Sequence, residues 1–265
     1  MRKRTLGALL GAVLVAVLII GATTGCGSKK SSNTIVFCSD TTYPPMESIV
    51  NGKAAGADVD IANAITKLWG KKAEIKTTGF DVIIPSLQGK KCDAIISALT
   101  NTAERAKQVD FADYVTVGAL LMVKSGNPSH ISDLASLSGK TVAVQAATTE
   151  KDLLDSQNKA LAKSGKAKIS VIIYPADTSA AAALLAGRVD TYFADATPVL
   201  YYLKKTGGKF EIAGKQIASA PEGIATRKAD PLGPKFKNAI AELYANGEMQ
   251  KILAKWGLSE FALRK

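Results

Sequence analysis

Arg105 stands where an arginine is electrostatically out of place. In the stretch "SALTNTAERAKQVDF", residues 97–111, Thr102 reads as a helix N-cap followed by a first turn of Ala103, Glu104 and Arg105. The unpaired N–H groups of such a turn carry partial positive charge and favour acidic neighbours. Either Arg105 is a surface residue paired with Glu104 or Asp110, or it joins those N–H groups in an anion site. The motif in isolation weighs both equally. Asp195 ends the apolar run "VDTYFAD", at the carboxyl edge where open α/β sheets bind ligands, whereas Asp190 begins that run and reads as structural. The one histidine, His130 in the turn-like "SGNPSH", offers neither a metal cluster nor a catalytic triad.

The elements that position these residues alternate in type. "TIVFCS" reads as a buried strand. "GADVDIANAITKLWG" is an amphipathic helix with Asp58 or Asp60 as its cap and Gly70 as its stop. "KAEIKTT" is a strand, "FDVIIPSLQGKK" a helix ending at Gly89, "CDAIISAL" a strand, and the helix from Thr102 follows. After the extended run "YVTVGALLMVKSG" the rhythm restarts as "KTVAVQ", "TTEKDLLDSQNKALAKSG", "KISVIIYP", "TSAAAALLAGR", "VDTYFAD" and "ATPVLYYLKKTG". A second extended run, "KQIASAPEGIATRKA", leads into one or two amphipathic helices over residues 230–258. The fold class is α/β: two lobes, each a mainly parallel sheet flanked by helices, joined by a hinge of two paired crossover strands.

Bulk composition agrees with a globular domain. Of 265 residues, 47% are apolar and 22% charged, and the formal charge is +11. Removing Arg2, Lys3 and Arg4 with a leader leaves 31 basic against 23 acidic residues, or +8. The excess is scattered, with no arginine cluster or aromatic interleaving, so no nucleic-acid partner is expected. "MRKRT" followed by "LGALLGAVLVAVLIIGA" is a basic region and an apolar run of signal-peptide type. "TTGCGSKKSSN" then resembles a bacterial lipoprotein signal, with residues 1–25 as signal peptide, Cys26 as lipidated mature N-terminus, and 26–33 as linker. Thr23 departs from the leucine usual in such signals. The chain is expected to lie outside the cytoplasmic membrane, anchored by its lipid. Cys38 and Cys92 suggest an exported disulfide, but as members of two parallel neighbouring strands they would stand several residues out of step. Two buried free thiols are the expectation.

The motifs "DTTYPPM", "GADVDIANAI", "FDVIIPSLQGKKCDAIISALTNTAERAKQVDFADYV", "GKTVAVQAATTE", "GRVDTYFAD", "GIATRK" and "NGEMQKILAKWGL" together resemble the family 3 extracellular solute-binding proteins. These are the polar amino acid receptors of ABC importers, and the chain is similar to lysine/arginine/ornithine- and glutamine-binding members. The resemblance implies a type II periplasmic-binding-protein-like fold, with residues 34–120 and 221–265 forming lobe 1 and 121–220 an inserted lobe 2. It assigns Arg105 to the ligand carboxylate, helped by Thr100, a role suited to a planar guanidinium and not to an ammonium. It assigns the ligand ammonium to Asp195 with the Ala98 carbonyl. Thr148 and Thr149 would hold the carboxylate from lobe 2, where Ala147 replaces the usual glycine and resists positive φ.

Tyr43 and Phe80 would sandwich the ligand's side chain, with core packing the competing reading. Asp40 would meet a distal cation or amide, with a turn cap before "TTY" as its alternative. Glu47, Ser97 and Gln145 are further candidate contacts. Asp40 favours arginine, lysine, ornithine, histidine or glutamine, since a buried carboxylate repels an acidic ligand. No cofactor, metal or catalytic residue is expected, and the partners are the amino acid, the permease subunits and the membrane, with the protein a monomer. Two rivals remain: an exported dehydratase acting on arogenate or prephenate, for which Asp40 or Glu47 could serve as acid or base, and a ligand-sensing module for a receptor.

Overall fold

The computed structural model describes residues 33–263, so the signal, Thr23, Cys26 and most of the linker lie outside the described residues. The chain begins with β1 (Thr34–Ser39), the short strands β2 (Thr42–Tyr43), β3 (Glu47–Val50) and β4 (Lys53–Ala55), helix α1 (Ala57–Leu68) and β5 (Lys72–Thr77). A 3-10 turn at Phe80–Val82 leads to α2 (Ile83–Gln88), β6 (Ala94–Ile95), α3 (Ala103–Ala106) and the long β7 (Val109–Lys124). Next come β8 (Thr141–Gln145), α4 (Thr149–Lys163), β9 (Ser170–Tyr174), α5 (Asp177–Leu185), β10 (Thr191–Asp195) and α6 (Ala196–Thr206). The long β11 (Phe210–Arg227), α7 (Leu232–Ala245) and α8 (Glu248–Trp256) close the chain.

Eight strands form one sheet in the order β5-β1-β6-β11-β7-β10-β8-β9, and β2-β3-β4 form a separate antiparallel sheet. Within the large sheet β5, β1 and β6 run parallel, as do β10, β8 and β9. The two parallel groups meet through the antiparallel pair β7 and β11. Parallel strands need helical crossovers, so the inner strands β1, β6, β8 and β10 are largely buried and apolar, whereas the edge strands β5 and β9 are mostly exposed. The backbone crosses between the groups only along β7 and β11, and the register of that pair shifts between Ala213 and Ala220.

Packing accounts for the helices. In α1, Ile61, Ala62 and Ile65 are buried at helical spacing, and they join a cluster with Phe37 of β1 and Phe236 of α7. Leu154 and Leu161 of α4 cover Val142, Val144 and Phe193. The N-cap of α1 is Gly56, not an aspartate: its φ is +150°, and a Cβ there would lie 2.0 Å from the Met46 carbonyl oxygen. Asp58, expected as a cap, is instead fully buried inside the helix, and Asp60 receives the Lys255 ammonium and the Trp256 indole N–H, each at 2.7 Å.

The expectation of free thiols is overturned. Cys38 and Cys92 are disulfide-bonded, with Cα atoms 5.7 Å apart. Cys38 does pair with Ile95 in the sheet, as an out-of-step register requires. However, β6 is only two residues long, and the chain before it bends instead of extending. The Asp93 N–H donates to the Val36 carbonyl at 2.8 Å and its carboxylate accepts the Val36 N–H at 2.9 Å, which turns Cys92 back against β1. Among the described residues no helix is long and apolar enough to cross a membrane, and no His/Cys/Asp/Glu group is arranged to hold a metal.

Candidate functional site

Helix α3 is a single turn, so its dipole contributes little, and the Arg105 N–H is already taken by Thr102 Oγ1 at 3.2 Å. The helix end therefore adds little to an anion site, and the Arg105 side chain carries it. Neither surface partner claims it: Glu104 pairs with Lys107 at 2.7 Å and Asp110 with Lys228 at 2.6 Å. The Arg105 guanidinium instead turns inward. Nη1 donates to the Thr100 carbonyl and Nη2 to the Ala147 carbonyl, both at 3.0 Å, and the group lies 5.4 Å from the centre of the Phe80 ring. Burial opposes its charge, and Glu150 and Asp195 do most to support it.

Every residue singled out in the sequence as a ligand contact lines one cavity. Asp195, at the end of β10, accepts a hydrogen bond from the Tyr43 hydroxyl at 2.7 Å. Tyr43 is therefore both a wall and a bridge between the two halves of the sheet. Ala98 is held by its N–H to Asp58 Oδ2 at 2.8 Å, in a left-handed conformation with φ +42°. Asp58 also accepts the Tyr114 hydroxyl at 2.7 Å, and burial pushes its carboxyl up to about 6. Asp58 thus positions the loop carrying Ala98 and does not reach the cavity.

Another group of acids and amides forms around Asp40. Its backbone N–H donates to Ser97 Oγ, which donates in turn to Glu47 Oε1 at 2.8 Å. The Gln145 amide donates to Asp40 Oδ2 at 2.6 Å, again joining the two halves of the chain. Asp40 also bonds to Thr42, so the turn-cap role coexists with the cavity position. Burial raises Asp40, and it raises Glu47 well above the carboxylate range with help from Asp58 and then Asp40. Glu47 Oε2 is buried without a hydrogen-bond partner.

Thr148 caps α4 by accepting the Lys151 N–H and donates its hydroxyl to the Gln145 carbonyl at 3.0 Å. Ala147 before it adopts φ +61° despite its Cβ, a strained conformation that aims its carbonyl at Arg105. The loop thus takes the path a glycine would take. One cavity residue went unrecognised in the sequence, Glu150. It is 2% exposed, Thr149 Oγ1 donates to its Oε2 at 3.3 Å, and its Oε1 has no partner. An acid in the first turn of a helix is so ordinary that its type carries no signal; only adjacency to Thr148 and Thr149 hinted at it. Asp190, as expected, is structural, tying Ser129 and the Thr141 N–H.

The model of the bacterial extracellular solute-binding proteins, family 3, matches residues 35–259. The arginine-binding extracellular protein ArtP of Bacillus subtilis is 31% identical over 257 residues, covering 94% of this chain and 97% of that protein. The L-arginine-binding protein of Pseudomonas aeruginosa is 32% identical over 260 residues, covering 94% of this chain and 95% of that protein. Among solved structures, an ancestral arginine-binding protein bound to arginine superposes with a TM-score of 0.77 at 36% identity, covering 84% of this chain and 98% of that one.

Proposed function

The chain belongs to the bacterial extracellular solute-binding proteins of family 3, and on that premise we propose that it captures a basic L-amino acid outside the cytoplasmic membrane and delivers it to an ABC permease. The observation that carries the choice of ligand is the distribution of charge within one cavity. Among the described residues Arg105 is the one cation lining the cavity, and Glu150 and Asp195 act on it most; Asp40 and Glu47 form a separate acidic group linked by Ser97. An α-amino acid with a cationic side chain matches this pattern. Its carboxylate takes the Arg105 fork, its ammonium takes Asp195 with the Ala98 carbonyl, and its distal cation takes Asp40, with Glu47 beside it. Tyr43 and Phe80 line the path of the aliphatic stem, and Thr100, Thr148 and Thr149 complete the carboxylate end. Arginine, lysine and ornithine satisfy both groups, whereas glutamine and histidine leave distal charge unmatched.

Residues 34–120 with 221–265 act as one lobe and 121–220 as the other, closing about β7 and β11. Tyr43–Asp195, Asp40–Gln145 and Arg105–Ala147 are the contacts that closure makes. Cys26 carries the lipid anchor, and the protein works as a monomer. Relatives named as binding proteins, and a cavity without a histidine, favour capture over catalysis.

Thermal-shift screening of the purified protein against the twenty amino acids, ornithine and arogenate tests the reading. Arginine, lysine and ornithine should raise the melting temperature by mass action, and glutamate should not. No shift with any amino acid, together with turnover of arogenate, would replace transport by catalysis.

A further inference from the structure

We propose that Glu150 is a second anionic seat for the ligand's ammonium group beside Asp195, and that the two carboxyls release a shared proton when a cationic amino acid enters. The proposal rests on the amino acid-binding reading above and adds a residue and a proton to it. Glu150 projects from the first turn of α4, lines the cavity, and keeps one buried oxygen that no N–H or hydroxyl donor reaches. Its carboxyl lies within hydrogen-bonding reach of the Asp195 carboxyl on β10. Two buried carboxyls at that separation hold one proton between them, because ionising both places like charges in contact away from water.

The surroundings leave the pair short of cations. Tyr43 from β2 donates to Asp195, Thr149 donates weakly to Glu150, and Glu222 from β11 adds a third fully buried carboxyl, neither of whose oxygens has a partner. Arg105 from α3 is the cation that acts on all three, and two of its N–H groups are bonded to the Thr100 and Ala147 carbonyls. Burial raises Asp195, and raises Glu150 and Glu222 well above the usual carboxylate range. An incoming ammonium supplies the missing positive charge. The O–H bond of the shared proton breaks, the electron pair stays on the carboxylate, the proton leaves to solvent, and the two carboxylates both accept from the ammonium.

Calorimetry of L-arginine binding at neutral pH in phosphate and in Tris tests this, because released protons are absorbed by the buffer with different heats. The expected result is about one proton released by the native protein and about none by Glu150→Gln, which should bind more weakly but measurably, having lost the charge of the second seat. Over the range where the pair titrates, native affinity should tighten up to about tenfold per pH unit, and the variant should be flatter. Binding without buffer-dependent heat in the native protein overturns the proposal, as does undiminished release in both Glu150→Gln and Asp195→Asn. Failure of every amino acid to bind would instead remove the reading beneath it, and with it the proposal.

Discussion

Replacing Arg105 with lysine keeps the charge and removes the planar fork, and should weaken L-arginine binding by about 30- to 700-fold. Arg105 holds the Thr100 and Ala147 carbonyls with two N–H groups and packs over Phe80 while keeping further donors for a carboxylate. A lysine ammonium has three donors on a flexible stem and cannot hold both carbonyls and grip a carboxylate in parallel. Losing one charge-assisted hydrogen bond costs about 1.5–3 kcal/mol, and losing part of the ring stacking about 0.5–1 kcal/mol. Together these come to about 2–4 kcal/mol, or 30- to 700-fold at about 1.4 kcal/mol per decade. Isothermal titration with arginine measures the loss. Thermal unfolding of the ligand-free variant separates lost contacts to ligand from lost contacts between the two halves of the chain. An Arg105→Lys protein that folds normally and binds arginine within threefold of the native protein would refute the carboxylate assignment.

Other perturbations test the scaffold. The Cys38–Cys92 bridge spans 54 residues, so the Cys38→Ser/Cys92→Ser double variant should lose up to about 4 kcal/mol in urea unfolding on chain entropy alone; equal midpoints for reduced and oxidised native protein would contradict the bond. Ala147→Gly should relieve positive-φ strain and, after the entropy glycine costs, raise stability by about 0.5–1 kcal/mol. A drop in melting temperature would show that the loop takes another path. Burial pushes the Asp177 carboxyl up from 3.8 to about 8 although Tyr192 donates to it at 2.6 Å. Its proton is therefore held more tightly in the folded state, and its contribution is fully present below 3.8 and lost as pH rises through about 8. Compared with the native protein, Asp177→Asn should remove a slope of up to about 1.4 kcal/mol per pH unit across that window, and unchanged curves from pH 5 to 8 would exclude it.

Most of the site was legible in the sequence through the resemblance to a family, and several of its residues sit at the ends of strongly periodic elements. Asp195 closes a fully buried strand, Thr148 caps the 15-residue helix α4, and Asp40 follows β1. Positions just past the carboxyl ends of strands converge in any sheet of this kind, so recognising the strands nearly suffices to place them. Arg105 was legible for a different reason, its conflict with local helix electrostatics, although α3 proved too short for the dipole to matter.

Strand and helix periodicity and the order of elements were thus set by local pattern, since each depends on spacing a few residues long, whereas most cavity-lining residues were identified through the resemblance to a family. What tertiary structure decided depends on where bends bring distant segments. The turn at 89–93 returns Cys92 to Cys38, and the packing of α1 buries Asp58 beneath Ala98 instead of leaving it at a helix cap. The approach of α4 to β10 brings Glu150 beside Asp195. Each pairing joins side chains whose separation along the chain says nothing of their distance in space, and a carboxyl's chemistry follows from its neighbours.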